Sequence, residues 1–295
     1  MSDCKKGSAH LQQAKELKFQ FIEDHRSEFN LEKMCKVLVV SRSGYYKWKS
    51  KGPSEQEQRK RKLMDRIIFH FNDNEKRYGA PKITYLLQQE GSEVSERTVG
   101  LYMQEIGFRS CVSRKFKVQT TDSNHDLPIA PNILNQQFKV LKPNKVWVAD
   151  ITYIPCKEGR LYLASILDLC TREIVGWRLQ NRMTTDIVLG ALEDAYAAKK
   201  PKKGVIHHSD RGSQYASDDY RKRLKDYKMV ASMSRKGNCY DNACMESFHS
   251  LLKKELVYCK RFITREQAYN EIYRYIEFFY NRKRIHSALG YLSPV

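Results

Sequence analysis

Three acids stand where their chemistry is conspicuous. Asp150 lies in the middle of an apolar, β-branched run, 145–154 (KVWVADITYI), where an unpaired carboxylate is costly to bury. Asp210 follows the short apolar run 204–208 (GVIHH) and precedes Arg211-Gly212, a strand end of the kind where open α/β sheets place their sites. Glu246 stands in the stretch 238–256, NCYDNACMESFHSLLKKEL. A lone strand aspartate is usually a hydrogen-bonded structural residue, but three such acids form a less ordinary set. A carboxylate trio can hold two divalent cations about 3.5–4 Å apart, activating a nucleophile and stabilising a leaving oxygen in phosphoryl transfer. Hard oxygen donors favour Mg²⁺, with Mn²⁺ as its substitute, over zinc.

At about 100° per residue, 238–256 reads as one helix with two faces. Met245, Phe248, Leu252 and Leu256 form an apolar stripe, while Asn242, Glu246, His249 and Lys253 form a polar one. Taken alone, the polar stripe is ordinarily a solvated surface. It is also a way to present an acid beside a phosphate chain.

The surrounding pattern supplies a frame for these acids. After 145–154 come the strand patterns 161–169 and 173–180 at hairpin spacing. A helix from Thr184 through Ala198, the short strand 204–208, a helix over 218–227 and a strand at 229–233 follow. Three antiparallel strands, helix, strand, helix, strand, helix is the order of a ribonuclease-H-like α/β fold. The front half is helical. A short helix from Glu32 is followed by one that Ser41 can cap, and a longer helix covers 55–72. A second pair opens at Pro81 and at Ser95, with Gly91 and Gly107 as stops. Both pairs are helix-turn-helix patterns, and any helical hairpin resembles them. Periodicity fails between 110 and 143. The expected division is therefore 1–54 and 55–109 as two helix-turn-helix regions, 110–143 as a linker, and 144–295 as the α/β core with C-terminal helices.

The net charge of +19 favours a polyanionic partner, through counterion release from phosphates. No apolar run approaches a membrane span, and no secretory core follows Met1. Eight cysteines without a C-x-x-C pair argue for reduced thiols in the cytoplasm and against a structural zinc site.

WVADITYI, HHSDRGSQY and DNACMESFHSLLKKEL resemble the catalytic blocks of DDE transposases and retroviral-type integrases. Thirty-five residues separate Asp210 from Glu246, and Lys253 follows Glu246 by seven, as in that superfamily. VSRSGYYKW, RYGAPKITYLL and FFYNRKRIHSALGYLSP extend the resemblance to the second-frame protein of IS3-family insertion sequences, the IS150-like branch in particular. The likeness covers nearly the whole chain.

The resemblance implies that Asp150, Asp210 and Glu246 are catalytic metal ligands for two Mg²⁺ ions. It puts Lys253 and Asn242 near DNA. Helix phase favours Glu246 over Asp241 and Glu255. Thr152 shares a strand face with Asp150 and His208 one with Asp210, as orienting neighbours. In the helical pairs Arg42, Tyr45, Lys47, Lys82 and Arg97 are expected to contact DNA. The implied activity is cleavage and strand transfer at the terminal inverted repeats of an element and at target DNA. A homo-oligomer in a synaptic complex, in the bacterial cytoplasm at the nucleoid, would carry it out. The chain ends directly after Ser293-Pro294 and Val295, and the first-frame module is not in it, so a first-frame partner or frameshift fusion is expected. A non-catalytic DNA-binding regulator would share the charge and the helical pairs, and a ribonuclease-H-type nuclease would share the acids. The acid trio speaks against the first, and the basic front half with Lys253 against the second.

Overall fold

The protein is described by a computed structural model covering residues 15–50, 54–111 and 127–295. The chain divides into two compact units, Met1–Ile68 and Phe69–Val295. Of the expected regions, the linker at 110–143 and the first helical region at 1–54 fall partly outside the described residues.

The first unit holds α1 (Lys15–Asp24), α2 (Leu31–Val37), α3 (Arg42–Ser50) and the opening turns of α4 (Glu55–Asp73). Asn30 opens α2 by accepting the Glu32 N–H at 2.9 Å, and Ser41 opens α3 by accepting the Gly44 N–H at 3.0 Å. Phe19, Ile22, Met34, Cys35, Leu38 and Tyr45 form its core. Tyr45 is fully buried, and its hydroxyl bonds to Glu23 of α1. The expectation that it meets DNA is corrected: the apolar area of the ring is used to join α3 to α1.

The second unit begins in α4 and continues through α5 (Ala80–Gln89) and α6 (Glu96–Glu105). Ser95 caps α6 by accepting the Thr98 N–H at 3.2 Å. Gly91 and Gly107 end the pair at φ +84° and +79°, which a side chain rarely adopts. Ile83, Leu87, Val99 and Met103 are buried between the helices.

The α/β core has β1 (Val146–Ile154), β2 (Leu161–Asp168), β3 (Ile174–Gln180), α7 (Thr185–Lys199), β4 (Ile206–Ser209), α8 (Ser213–Ala216), α9 (Asp218–Asp226) and β5 (Val230–Met233). Next come α10 (Ala243–Leu252) and α11 (Arg265–Tyr273). The sheet order is β3-β2-β1-β4-β5, with β2 antiparallel to β1 and β3, and β4 parallel to β1 and β5. This is the expected ribonuclease-H-like arrangement. Trp147, Ala149, Ala164, Ile166 and Val175 pack with Ile187, Ala191, Leu192, Tyr215 and Tyr220 of α7, α8 and α9. The period of two then sends Val148, Asp150 and Thr152 to the opposite face, where α10 lies. At Gly176 the α7 backbone comes so close that a Cβ would sit 2.3 Å from the Ala191 carbonyl.

The helix read at 238–256 is corrected to three pieces. A 3₁₀ turn spans Cys239–Asn242, α10 follows, and a wider i→i+5 turn spans Lys253–Val257. Glu255 lies buried in the wide turn. Its carboxylate is 3% exposed, pairs with Arg284 at 2.9 Å and accepts the Tyr275 hydroxyl at 2.7 Å. Arg77, just before α5, donates to the Glu255 carbonyl at 3.3 Å and lays its guanidinium 4.1 Å from the Phe279 ring centroid. The helical pair is thereby joined to the end of α10. Asp241 is likewise enclosed, accepting from Arg235, Gln136 and Asn132 at 2.7–2.9 Å. Among the described residues no helix is long and apolar enough to cross a membrane.

Gly176→Ala should push α7 off β3 and lower stability by about 1–3 kcal/mol in urea unfolding; an unchanged midpoint would contradict this packing. The Arg235 side chain, then its backbone N–H and Gln136, hold the Asp241 carboxyl well below its ordinary value of 3.8, against the effect of burial. The stability this gives is complete above pH 3.8 and drains as pH falls through the folded-state value. Asp241→Asn should therefore cost about 1–3 kcal/mol at pH 7. Melting curves should show the gap to the native chain narrowing below about pH 4; a gap constant from pH 7 to pH 3 would exclude it.

Candidate active site

Asp150 and Glu246 face one another across the join of β1 and α10. Asp150 is in register with Ser165 on β2 and is 18% exposed at its side chain. Its Oδ1 accepts the Ile151 N–H at 2.8 Å, and its Oδ2 lies 3.3 Å from Nδ1 of His249. Nε2 of the same ring is 2.8 Å from the Ser165 hydroxyl. Glu246, one turn before His249, is half-buried, and no hydrogen-bond donor among the described residues reaches its carboxylate. Burial first, and the charge of Asp150 second, raise the Glu246 pKa above 4.5. Asp210 follows β4 at the neighbouring strand end, half-buried, with Oδ1 accepting the Gly212 N–H at 2.9 Å. The Tyr215 phenol, buried below, is raised well above its ordinary value by burial, by Tyr220, and by Asp150 and then Asp210. The fields of both aspartates thus meet at one ring.

The other acids near this face differ in kind. Asp168, 1% exposed, accepts N–H groups from Asn144, Cys170 and Thr171 and the Trp147 indole at 2.6–3.2 Å. Asp168, Asp241 and Glu255 are saturated by donors and serve the fold. Glu246 has only burial and the charge of Asp150 acting on it, and a cation would relieve both. Among the described residues no three His, Cys, Asp or Glu side chains are gathered at metal-ligand spacing. The donors fit a hard divalent cation in chemistry, and all three acids retain solvent access.

Lys253 reaches the same neighbourhood. Its ammonium is 4.6 Å from the Tyr153 ring centroid, and burial lowers its pKa while Asp150 opposes the shift. Asn242 takes another place: it is 5% exposed and its Nδ2 donates to the Ala149 carbonyl at 3.0 Å. Its Oδ1 is buried without a hydrogen-bond partner among the described residues. The side chain expected to meet DNA instead pins the start of α10 to β1. Thr152 is buried on the Asp150 face. His208 bonds Ser232 at 2.9 Å and Ser234 at 3.1 Å, and burial lowers its pKa to about 4. It ties β4 to the end of β5 as a neutral ring.

Arg42, Lys47 and Arg97 are exposed. Lys82 is drawn inward, 4.5 Å from the Tyr78 ring centroid, with its pKa lowered to about 8 by burial and then Arg284. It is half-buried there, unlike the three exposed residues. His249 was assigned no role from sequence; the register of Asp150 with Ser165 is what brings its partners together.

Two integrase core domain families match residues 141–239 and 227–294, and an HTH-like domain matches 58–116. The chain is 47% identical to the insertion element IS600 uncharacterized 31 kDa protein of Shigella sonnei, over 88% of this chain and 96% of that one. It is 41% identical to transposase InsF for insertion sequence IS3A of Escherichia coli K12, over 94% and 97%. Among solved structures, the HTLV-2 integrase catalytic core domain in complex with magnesium is 16% identical, covering 50% of this chain and 92% of that one at a TM-score of 0.38. With near-full-length identity to InsF, an integrase core and an HTH-like domain, the chain belongs to the IS3 family of insertion-sequence transposases.

Proposed function

We propose that Asp150, Asp210 and Glu246 together hold two Mg²⁺ ions and that the protein cuts and joins DNA strands at this one site. The observation that carries the reading is Glu246: a half-buried carboxylate without a donor, raised by burial and by Asp150 in a chain of net charge +19. Cations held by Asp150, Asp210 and Glu246 would supply polarisation of the scissile phosphate and would favour the deprotonated form of the attacking hydroxyl, water for cleavage and a 3′-end for joining.

The chain's own groups do the rest. Lys253, half-buried beside Asp150, supplies a cation for a phosphate next to the scissile one, and its ammonium is held over the Tyr153 ring at 4.6 Å from the centroid. The two steps are in-line displacements on phosphodiesters, so one site serves both in turn. The substrates in this reading are the terminal inverted repeats of the element and target DNA, held through exposed Arg42, Lys47 and Arg97. A homo-oligomer would bring two ends together, with the first-frame protein or its fusion as partner, in the bacterial cytoplasm at the nucleoid. The intact acid set distinguishes this from a purely DNA-binding regulator.

Asp210→Asn and Glu246→Gln should each abolish cleavage and 3′-end joining on oligonucleotide substrates, while affinity for the same DNA changes less than about threefold. Chelation should stop both reactions of the native protein, and Mg²⁺ or Mn²⁺ should restore them. Normal joining by either variant would refute the assignment.

A further inference from the structure

The ring of His249 is not used by the scheme above, yet it lies between two groups on different strands. Its Nδ1 is 3.3 Å from Asp150 Oδ2 and its Nε2 is 2.8 Å from Ser165 Oγ. The ring is 6% exposed and Ser165 is fully buried. Asp150 and Ser165 are direct partners in the antiparallel β1–β2 pairing, so the ring spans the two strands from above. His249 also sits three residues after Glu246 on α10, on the same side of the helix.

We propose that His249, held by Ser165, is a positioning residue that sets the rotamer of Asp150 for cation binding. The hydrogen-bond inventory defines the orientation. A carboxylate only accepts, so the neutral tautomer that suits both neighbours carries its proton on Nδ1, beside Asp150, and accepts the Ser165 hydroxyl at Nε2. The Ile151 N–H holds Oδ1 from the strand side, and the imidazole addresses Oδ2 from the helix side. With both oxygens addressed, rotation about the Asp150 side chain is restricted before any cation arrives. A histidine that only filled space would be satisfied by Ser165 alone. Here the second nitrogen is directed at a group assigned to the reaction. The arrangement also ties the position of Asp150 to that of α10, and so to Glu246. This inference rests on the metal-site reading.

The test is Mn²⁺ binding by calorimetry on the full chain, paired with the Mn²⁺ concentration that gives half-maximal cleavage. His249→Phe keeps a ring of similar volume without a donor; His249→Asn keeps a donor near the Nδ1 position; Ser165→Ala removes only the anchor. His249→Phe should bind Mn²⁺ about 10–100-fold more weakly and shift the half-maximal concentration upward alike. His249→Asn should recover most of that loss, and Ser165→Ala should fall between the native chain and His249→Phe. A folded His249→Phe with native Mn²⁺ affinity overturns the proposal. If that variant does not fold, Ser165→Ala with native affinity overturns it. Asp150→Asn separates the two levels: if it too binds Mn²⁺ as the native chain does, the metal-site reading falls and this proposal falls with it.

Discussion

The placement of α10 against β1 governs the rest of the site, because it sets the distance between an acid on a strand and an acid on a helix. Two contacts fix it. Asn242 donates to the carbonyl of Ala149 at the helix start, and His249 lies against Asp150 seven residues later. Met245, Phe248 and Leu252, all buried, bring apolar area to the same interface. Two carboxylates that would repel each other in water are kept as neighbours by a helix whose apolar and amide contacts outweigh that repulsion. The residual cost is visible at Glu246, whose carboxyl is pushed upward by burial and by Asp150.

The buried acids of the second unit sort by how they are satisfied. Glu255 is enclosed by Arg284 and Tyr275, Asp241 by Arg235, Gln136 and Asn132, and Asp168 by backbone amides and an indole. Each of these would be expensive to bury alone, and each ties distant segments together. Glu255 matters most for organisation, since Arg77 reaches its carbonyl from the helical pair while Arg284 reaches its carboxylate from the C-terminal segment. The end of α10 is thus where the HTH-like segment and the C-terminal segment meet. The wide turn over Lys253–Val257 permits this, turning Glu255 into the interior while Lys253 stays beside Asp150.

Much of this was legible from residue pattern. The strand and helix order of the core follows from period-two runs and their breaks, and Asp150 was visible as an acid inside an apolar strand and Asp210 as one at a strand end. Ser95 as a cap and Gly91 and Gly107 as stops are local chemistry, and they hold. The failures are tertiary. Tyr45 and Asn242 have side chains that suit DNA, but the ring of one and the amide of the other are buried in this fold. Helix phase at 100° per residue placed Asn242 and Lys253 on one line, whereas the 3₁₀ and i→i+5 turns break that phase at both ends of α10. His249 could not be assigned because its two partners are 84 and 99 positions away, joined only by the β1–β2 register.

The central claim is that these three acids form one cation site. Crystals of the protein soaked in Mn²⁺ and measured for anomalous scattering address it without an activity assay. The account predicts anomalous peaks within bonding distance of carboxylate oxygens from Asp150, Asp210 and Glu246 together. Peaks confined to other acids, or none at saturating Mn²⁺ with the three side chains still apart, would contradict it.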